Sequence, residues 1–304
     1  NRKNLIITIT EAIKNIPIIC ISMGFFLLAM IASYAVIPNL EKFGKYYGLL
    51  DKPDTRKIHS KPIVRIGGVA IFIGCNFSFL LISILSRLFP PFFDKFYFQI
   101  DEITISIILC STGFFLIGLL DDVYSISPYS RLFFQFLVSG ILWKFGLRIE
   151  NLLFLNTYIF KDYVFLSQLF SFIMSLIWIV GVTNAINWLD GLDGLAAGYS
   201  FFVSMAILIT SFIFGNTEGI VILSIFVGSI IGFLIRNFKP AFYIMGDSGS
   251  YFLGFFLSTG VIYFSSNELV NSVPFQYMII LFSLPIFDMI YVILNRIYKR
   301  LNPL

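Results

Sequence analysis

The stretch "NAINWLDGLDGL" (184–195) sets Asn184, Asn187, Asp190 and Asp193 three residues apart, between two long apolar segments. Carboxamides offer both donors and acceptors, whereas ionised carboxylates only accept. That mixture suits a hydrated metal ion or a nucleotide bearing phosphates better than a plain turn, which would need one such residue rather than four. On an ideal α-helix each step of three drifts by about 60°, so Asn184, Asn187 and more loosely Asp190 share a face, and Asp193 does not. Gly191 and Gly194 are expected to end the helix and let the backbone re-aim the last carboxylate.

Three further polar clusters interrupt the apolar pattern. "LIGLLDDVYSISPYSR" (116–131) carries Asp121 and Asp122. Neighbours on a helix point about 100° apart, so one can meet a metal while the other does a different job. A solvated acidic pair is the competing reading, weakened because acids at a helix C-terminus oppose its dipole. "RNFKPAFYIMGDSGS" (236–250) sets Asp247 between Gly246 and Gly249. Glycines there allow close backbone approach to a ligand, and the helix that follows favours an anion at its start. Simple N-capping by Asp247 or Ser248 is the alternative. "DKPDTRKIHSKPIVRIGG" (51–68) gathers Arg56, Lys57, His59, Lys61 and Arg65, cations of the kind phosphates attract, beside the chain's one histidine. A surface role for His59 competes. Asp288, in "SLPIFDMIYVILNR" (283–296), is expected to face the bundle interior or a wet cavity.

The elements that must position these groups are membrane helices. Of 304 residues, 58% are hydrophobic and 12% charged, with a mean hydropathy of +0.90. Soluble domains average about 25% charged residues. Nine apolar runs are long enough to span a bilayer: 16–40, 66–86, 103–120, 129–147, 166–188, 195–214, 220–235, 249–264 and 275–294. The expectation is an all-α, polytopic helix bundle forming one integral-membrane domain over 1–304, with no room for a separate soluble domain. The first run is too long for a signal peptide's core, and no small-residue cleavage pattern follows it. Cys20, Cys75 and Cys110 all fall inside runs, which speaks against a zinc cluster or a disulfide framework. The net charge of +4 sits mostly in loops, where it orients the chain rather than binding nucleic acid.

Orientation follows from those loop charges. Lys42, Lys45, Lys52, Arg56, Lys57, Lys61 and Arg65 lie after the first run, and Arg131, Arg236, Lys239, Arg296, Lys299 and Arg300 fall on the same side. On the opposite side Arg87, Lys95, Lys144, Arg148 and Lys161 are balanced by Asp94, Asp101, Glu102, Glu150 and Asp162. The positive-inside rule puts the first set in the cytoplasm, against the pull of Arg2, Lys3 and Lys14 on the N-terminal tail. All four polar clusters then share the cytoplasmic face. Carboxylates facing phosphate-binding cations there point to magnesium-assisted phosphoryl transfer, in which positioning and charge neutralisation carry most of the catalysis.

At this point "DKPDTRKIHSKPIVRIGG", "GLLDD", "NAINWLDGLDGLAAG" and "NFKPAFYIMGDSGS", in this order, resemble the polyprenyl-phosphate N-acetylhexosamine-1-phosphate transferases. These include the bacterial initiators of O-antigen, enterobacterial common antigen and teichoic acid, with the MraY translocase as a distant relative. The resemblance runs from about residue 38 to the chain end. It implies a bundle of ten or eleven helices in the bacterial inner membrane. The implied reaction moves a sugar-1-phosphate, with GlcNAc the default sugar, from a UDP-sugar to undecaprenyl phosphate and releases UMP. It implies magnesium, or manganese in its place, as cofactor, and admits a homodimer.

By motif, Asp247 matches the metal ligand, assisted by Asp121 and Asp122, one of which is also a candidate for activating the lipid phosphate. Asn187, Asp190 and Asp193 match positions for nucleotide and metal handling, and Asn237 matches the asparagine upstream of the Gly–Asp pair. Asn184 joins this substrate-binding group, and the basic loop is expected to hold pyrophosphate or lipid phosphate. Two departures stand out. Where MraY-like members stack an aromatic ring on uracil, this chain has Ile244. The family's histidine-rich loop would follow "KRLNPL", so a fragment lacking its final helices is expected, an inactive truncated paralogue being the lesser alternative.

A transporter is the reading from another class, since acids in membrane segments also mark ion routes. It would set its polar residues at mid-bilayer in paired broken helices, not at one face. The CDP-alcohol phosphotransferases, another aspartate-and-magnesium class, need an arginine that "DGLDGLAAG" lacks. In a cysteine-free background, Ser127→Cys is expected to react with an impermeant thiol reagent only from the cytosolic side, and Asn216→Cys only from outside. The reverse pattern would overturn the orientation.

Overall fold

The computed structural model of the chain describes residues 2–51, 62–94, 100–149, 164–238, 243–266, 275 and 279–301. Ten helices cover most of them: α1 (Arg2–Tyr47), α2 (Gly68–Leu88), α3 (Pro90–Asp94), α4 (Glu102–Tyr124), α5 (Pro128–Lys144), α6 (Val164–Leu189), α7 (Leu195–Ile213), α8 (Thr217–Asn237), α9 (Gly246–Ser266) and α10 (Ser283–Tyr298). A 3₁₀ turn, Ile280–Phe282, leads into α10. Helices are the expected answer to these runs, because backbone groups in lipid must find partners within their own segment. The starts are marked locally. Asp101 accepts from the Thr104 N–H, Ser127 from the Ser130 N–H ahead of Pro128, and Asn216 from the Gly219 N–H.

Each of the nine predicted runs is helical over most of its described residues, and the chain is a multi-pass membrane protein. Among the described residues, seven helices are long and apolar enough to cross a bilayer. The two runs that fall short are α5, with 17 residues, and α9, which opens on the polar "GDSGS". The all-α expectation gains one small addition. β1 (Leu50–Asp51) pairs antiparallel with β2 (Ile63–Val64), with Leu50 opposite Val64 and Asp51 opposite Ile63. Val64 also bridges Tyr243 in parallel, so the base of the basic loop lies against the approach to α9.

The bundle is built around α8 and α9. α8 packs on α1, α2 and α7, whereas α9 packs on α4, α6, α7 and α2. Their shared interior holds Phe226, Phe252, Phe255 and Phe256, all buried, with the Phe226 and Phe256 rings stacked at 4.1 Å. Apolar residues on outer faces, such as Leu80, Leu109 and Phe202, are exposed, as lipid-facing positions should be. The peripheral helix α5 packs on α4 and α6, and α10 packs on α6.

Helix ends approach closely where glycine stands. A Cβ added at Gly68, the first residue of α2, would lie 2.2 Å from the Gly249 Cα in α9. Gly246 adopts φ +77°, and a Cβ there would lie 2.1 Å from the Arg65 carbonyl oxygen. The glycines of "MGDSGS" were read as allowing close approach to a ligand; here both close approaches are to the chain itself. Gly68→Ala is therefore expected to overpack a backbone contact and destabilise the protein by about 1–3 kcal/mol. Gly24→Ala, with nothing within 4 Å, should leave the melting temperature in detergent unchanged. Equal melting of the two variants would contradict this packing.

Candidate active site

Four of the segments singled out by sequence meet at one end of the bundle. The C-terminal ends of α4 and α6, the start of α9 and the strand-like segment 62–67 converge there. The convergence is held by backbone. Ile244 donates its N–H to the Val64 carbonyl, and Gly67 and Gly68 donate theirs to Ile244 and Met245. These bonds set Arg65 directly over the first turn of α9.

Asp122 lies beneath that turn with its side chain fully buried. One carboxylate oxygen accepts the Asp247 N–H and the other the Ser248 N–H, both at 2.9 Å. The Arg65 Nε stands 3.2 Å away on the same carboxylate. The anion that the start of α9 favours is thus supplied by α4, not by a residue of α9 itself.

Asp247 occupies the centre. Its Oδ2 accepts from the Arg65 Nη2 at 2.7 Å, and its Oδ1 accepts from the Asn187 Nδ2 at 2.7 Å. Asn187 also donates to the Ser250 hydroxyl at 2.8 Å. Asp121 turns the other way around α4, taking an ion pair from Arg131 and facing Asp247. Asp190, just past the end of α6, lies beside the Gly246 backbone. Burial, then the nearby Asp247 and Asp122 carboxylates, push its pKa well above the ordinary aspartate value. For Arg65, burial opposes the charge, but Asp247 and Asp122 outweigh it and raise the pKa further.

The other sequence candidates lie around this core. Asn237 is buried, with its carbonyl accepting from the Gly194 N–H and its amide donating to the Tyr243 carbonyl. It ties the Asp190–Gly194 turn to the segment before α9. Asp193 is exposed on that turn, where Gly194 takes φ +71° and begins α7. Asn184 sits two turns inward on α6 and donates to the Gln135 Oε1 at 2.7 Å. Arg56, Lys57, His59 and Lys61 lie outside the described residues. Asp288 corrects its expectation: it is exposed rather than turned into the bundle, because the side chains of α10 that meet α5 and α6 include Met289 and Ile293.

Three contributors went unassigned in the sequence. Arg131 looked like a topology charge, although its position four residues before Gln135 puts both on one face of α5. Ser250 was passed over inside "GDSGS". Gln135 gave no motif signal at all.

Beside Arg131 opens a cleft of about 260 Å³ between α5, α6 and α10. Leu132, Phe136, Ile177, Val180, Met289 and Ile293 line its apolar part, and Arg131, Asn184 and Trp188 line the rest. A buried carboxylate–guanidinium cluster at one end of a membrane bundle, next to an apolar cleft, defines a membrane-embedded protein built to bring charged and lipid-like groups together. The chain belongs to glycosyl transferase family 4, whose family model matches residues 104–265.

It is 30% identical over 283 residues to a Bacillus subtilis protein named probable undecaprenyl-phosphate N-acetylglucosaminyl 1-phosphate transferase, covering 90% of this chain and 72% of that one. It is also 30% identical to the undecaprenyl-phosphate alpha-N-acetylglucosaminyl 1-phosphate transferase of Thermotoga maritima, covering 90% and 75%. A third relative, at 30% identity, is the phospho-N-acetylmuramoyl-pentapeptide-transferase of Dictyoglomus turgidum, covering 81% and 73%.

The geometry makes Asp122 a brace for α9. Asp122→Asn keeps the size but replaces one acceptor with a donor that opposes a backbone N–H. The expected loss is about 1.5–3 kcal/mol, the worth of a charge-assisted hydrogen bond, read as a lower melting temperature in detergent. Unchanged melting would remove this role.

Proposed function

We propose that the protein transfers N-acetylhexosamine-1-phosphate from a UDP-sugar to undecaprenyl phosphate at the cytoplasmic face of a bacterial inner membrane. UMP leaves, and the lipid-linked product would start a cell-envelope polysaccharide. The observation that carries this reading is the continuity between the apolar cleft and the charged cluster through Arg131. An acceptor with a long isoprenoid tail and a phosphate head needs such a junction. The names of the relatives, all transferases of phosphorylated amino sugars, support the same reading.

In the transfer, an oxygen of the lipid phosphate attacks the sugar-bearing phosphorus of the UDP-sugar. A new P–O bond forms, the bond to the uridine-bearing phosphate breaks, and UMP departs with that oxygen. Arg131, at the mouth of the cleft, holds the acceptor phosphate. Asp121 beside it is placed to take a proton from a protonated acceptor, since both oxygens of Asp122 are engaged by backbone N–H groups. Arg65 and Asn187 orient Asp247 from opposite sides.

The donor set fits magnesium. The groups are hard carboxylate oxygens, the ligand type magnesium takes. Magnesium suits such a site, taking one or two carboxylates and completing its shell with phosphate oxygens and water. Asp247 would hold it, leaving Asp121 to Arg131 and the acceptor, and it would neutralise charge on the diphosphate.

Purified protein given a UDP-sugar, polyprenyl phosphate and magnesium is expected to release UMP only when all three are present. Asp247→Asn keeps the size and removes the charge, so turnover should fall by about two orders of magnitude or more. Asp94→Asn, at the opposite face, serves as the control. Near-normal magnesium-dependent turnover in Asp247→Asn would end the metal assignment, and UMP release without polyprenyl phosphate would end the acceptor assignment.

A further inference from the structure

Gln135 lies in the interface of α5 and α6, one helical turn into the bundle from Arg131. Its side chain is completely buried. The Oε1 accepts from Asn184, but the Nε2 has no hydrogen-bond partner among the described residues. An apolar side chain of similar volume would fill this space without leaving a donor unsatisfied. A buried amide at this cost calls for a state in which its donor is used.

Asn184 supplies that state. Its Nδ2 donates to the Gln135 Oε1 at 2.7 Å and to the Val180 carbonyl at 2.8 Å, while its side chain lines the cleft. Both amides are planar groups whose oxygen and nitrogen ends exchange places on a half-turn of the last torsion. If both turn, the Gln135 Nε2 donates to the Asn184 Oδ1, and the Asn184 Nδ2 is released toward the cleft. The half-turn also sets the Asn184 Oδ1 where its Nδ2 stood, 2.8 Å from the Val180 carbonyl oxygen, so the turned state is reached only when a bound anion accepts the released N–H. The group left without a partner is then the Gln135 carbonyl. An under-satisfied carbonyl is better tolerated in protein interiors than an orphaned N–H.

We propose that Gln135 and Asn184 form a reversible amide pair in which Gln135 positions Asn184 to donate a hydrogen bond to the anionic head of the lipid acceptor. Asn184 touches the ligand; Gln135 acts through it. This rests on the acceptor site proposed above, because the same cleft brings Asn184 and Arg131 together. An anion beside Arg131 favours the orientation with an N–H outward, whereas a neutral or cationic group favours the oxygen outward. The pair therefore discriminates in favour of a phosphorylated lipid over the corresponding alcohol.

The test compares wild type, Gln135→Glu and Gln135→Leu in the full-length protein. A glutamate at 135 can only accept while ionised, so it holds the Asn184 nitrogen inward and its oxygen toward the cleft. Leucine removes the partner and leaves Asn184 free to turn. The KM for undecaprenyl phosphate is expected to rise about tenfold or more in Gln135→Glu, the loss of one charge-assisted hydrogen bond. A smaller rise is expected in Gln135→Leu, and the KM for the UDP-sugar should stay within about twofold in both. Direct binding of undecaprenyl phosphate and undecaprenol, followed through the fluorescence of Trp188 at the cleft, should show the preference for phosphate reduced in Gln135→Glu. Wild-type affinity and preference in that variant would overturn the amide pair while leaving the acceptor site intact. A parallel rise in both KM values would make Gln135 merely structural and also overturn it. Wild type that binds no polyprenyl phosphate would sink the acceptor site and this proposal together.

Discussion

The buried carboxylate of Asp122 at the start of α9 is the contact from which the rest of the site takes its position. Helix starts leave N–H groups unpaired, and one buried at the end of a membrane bundle cannot rely on water. Supplying the acceptor from α4 satisfies two of those donors and fixes α4 to α9 at one register. The Asp247 side chain, whose own N–H is one of the two, is thereby set at the centre of the cluster. Arg65 then joins both carboxylates, which fastens the segment from the base of the basic loop onto the same point.

Among the described residues this arrangement is short of positive charge. Asp121, Asp122, Asp190 and Asp247 face Arg65 and Arg131, four carboxylates against two guanidiniums. Burial and the Asp247 and Asp122 carboxylates push the Asp190 pKa upward. Neutral donors relieve part of the deficit: Asn187 to Asp247, and the backbone amides to Asp122. The proposed magnesium would offset what remains. The same logic explains why α6 ends on the carboxamides Asn184 and Asn187 before the turn that carries Asp190 and Asp193. An aspartate at position 187 would add a further anion where a donor is required.

The bundle and the four site segments could be read directly from the chain. Apolar runs of about 20 residues leave few alternatives to membrane helices, and loop charges sorted the polar clusters to one side. The argument from helix geometry that Asp121 and Asp122 must serve different partners matches their divergence to Arg131 and to the α9 backbone. Three things were hidden. Spacing does not reveal that "GDSGS" would receive its cap from another helix, because capping is normally local. Glycines chosen for contact between helices look the same as glycines chosen for contact with a ligand, and only the packing of Gly68 on Gly249 separates them. Gln135 carries no pattern in sequence, since a single buried amide becomes meaningful only through the partner it meets across a helix interface.

The far end of the bundle shows why the site can be rigid while the cleft beside it need not be. There Tyr263, near the end of α9, donates to Glu218 at 2.8 Å and lies 3.2 Å from Asp101, which caps α4. The α4–α9 pair is thus fastened at both ends, by Asp122 at the site and by Tyr263 opposite, with the phenylalanine core between. No comparable pair of fasteners joins α5 and α10 to that scaffold among the described residues. α5 packs on α4 and α6, α10 packs on α6, and the two form walls of the apolar cleft. In the proposed reaction Asp121, Asp122 and Asp247, which must hold a fixed geometry, sit on this pair, and the walls of the cleft proposed for the lipid tail include α5 and α10. Arg131 joins the two regimes: it belongs to α5 and lines the cleft, yet its ion pair to Asp121 ties the head of that helix to α4.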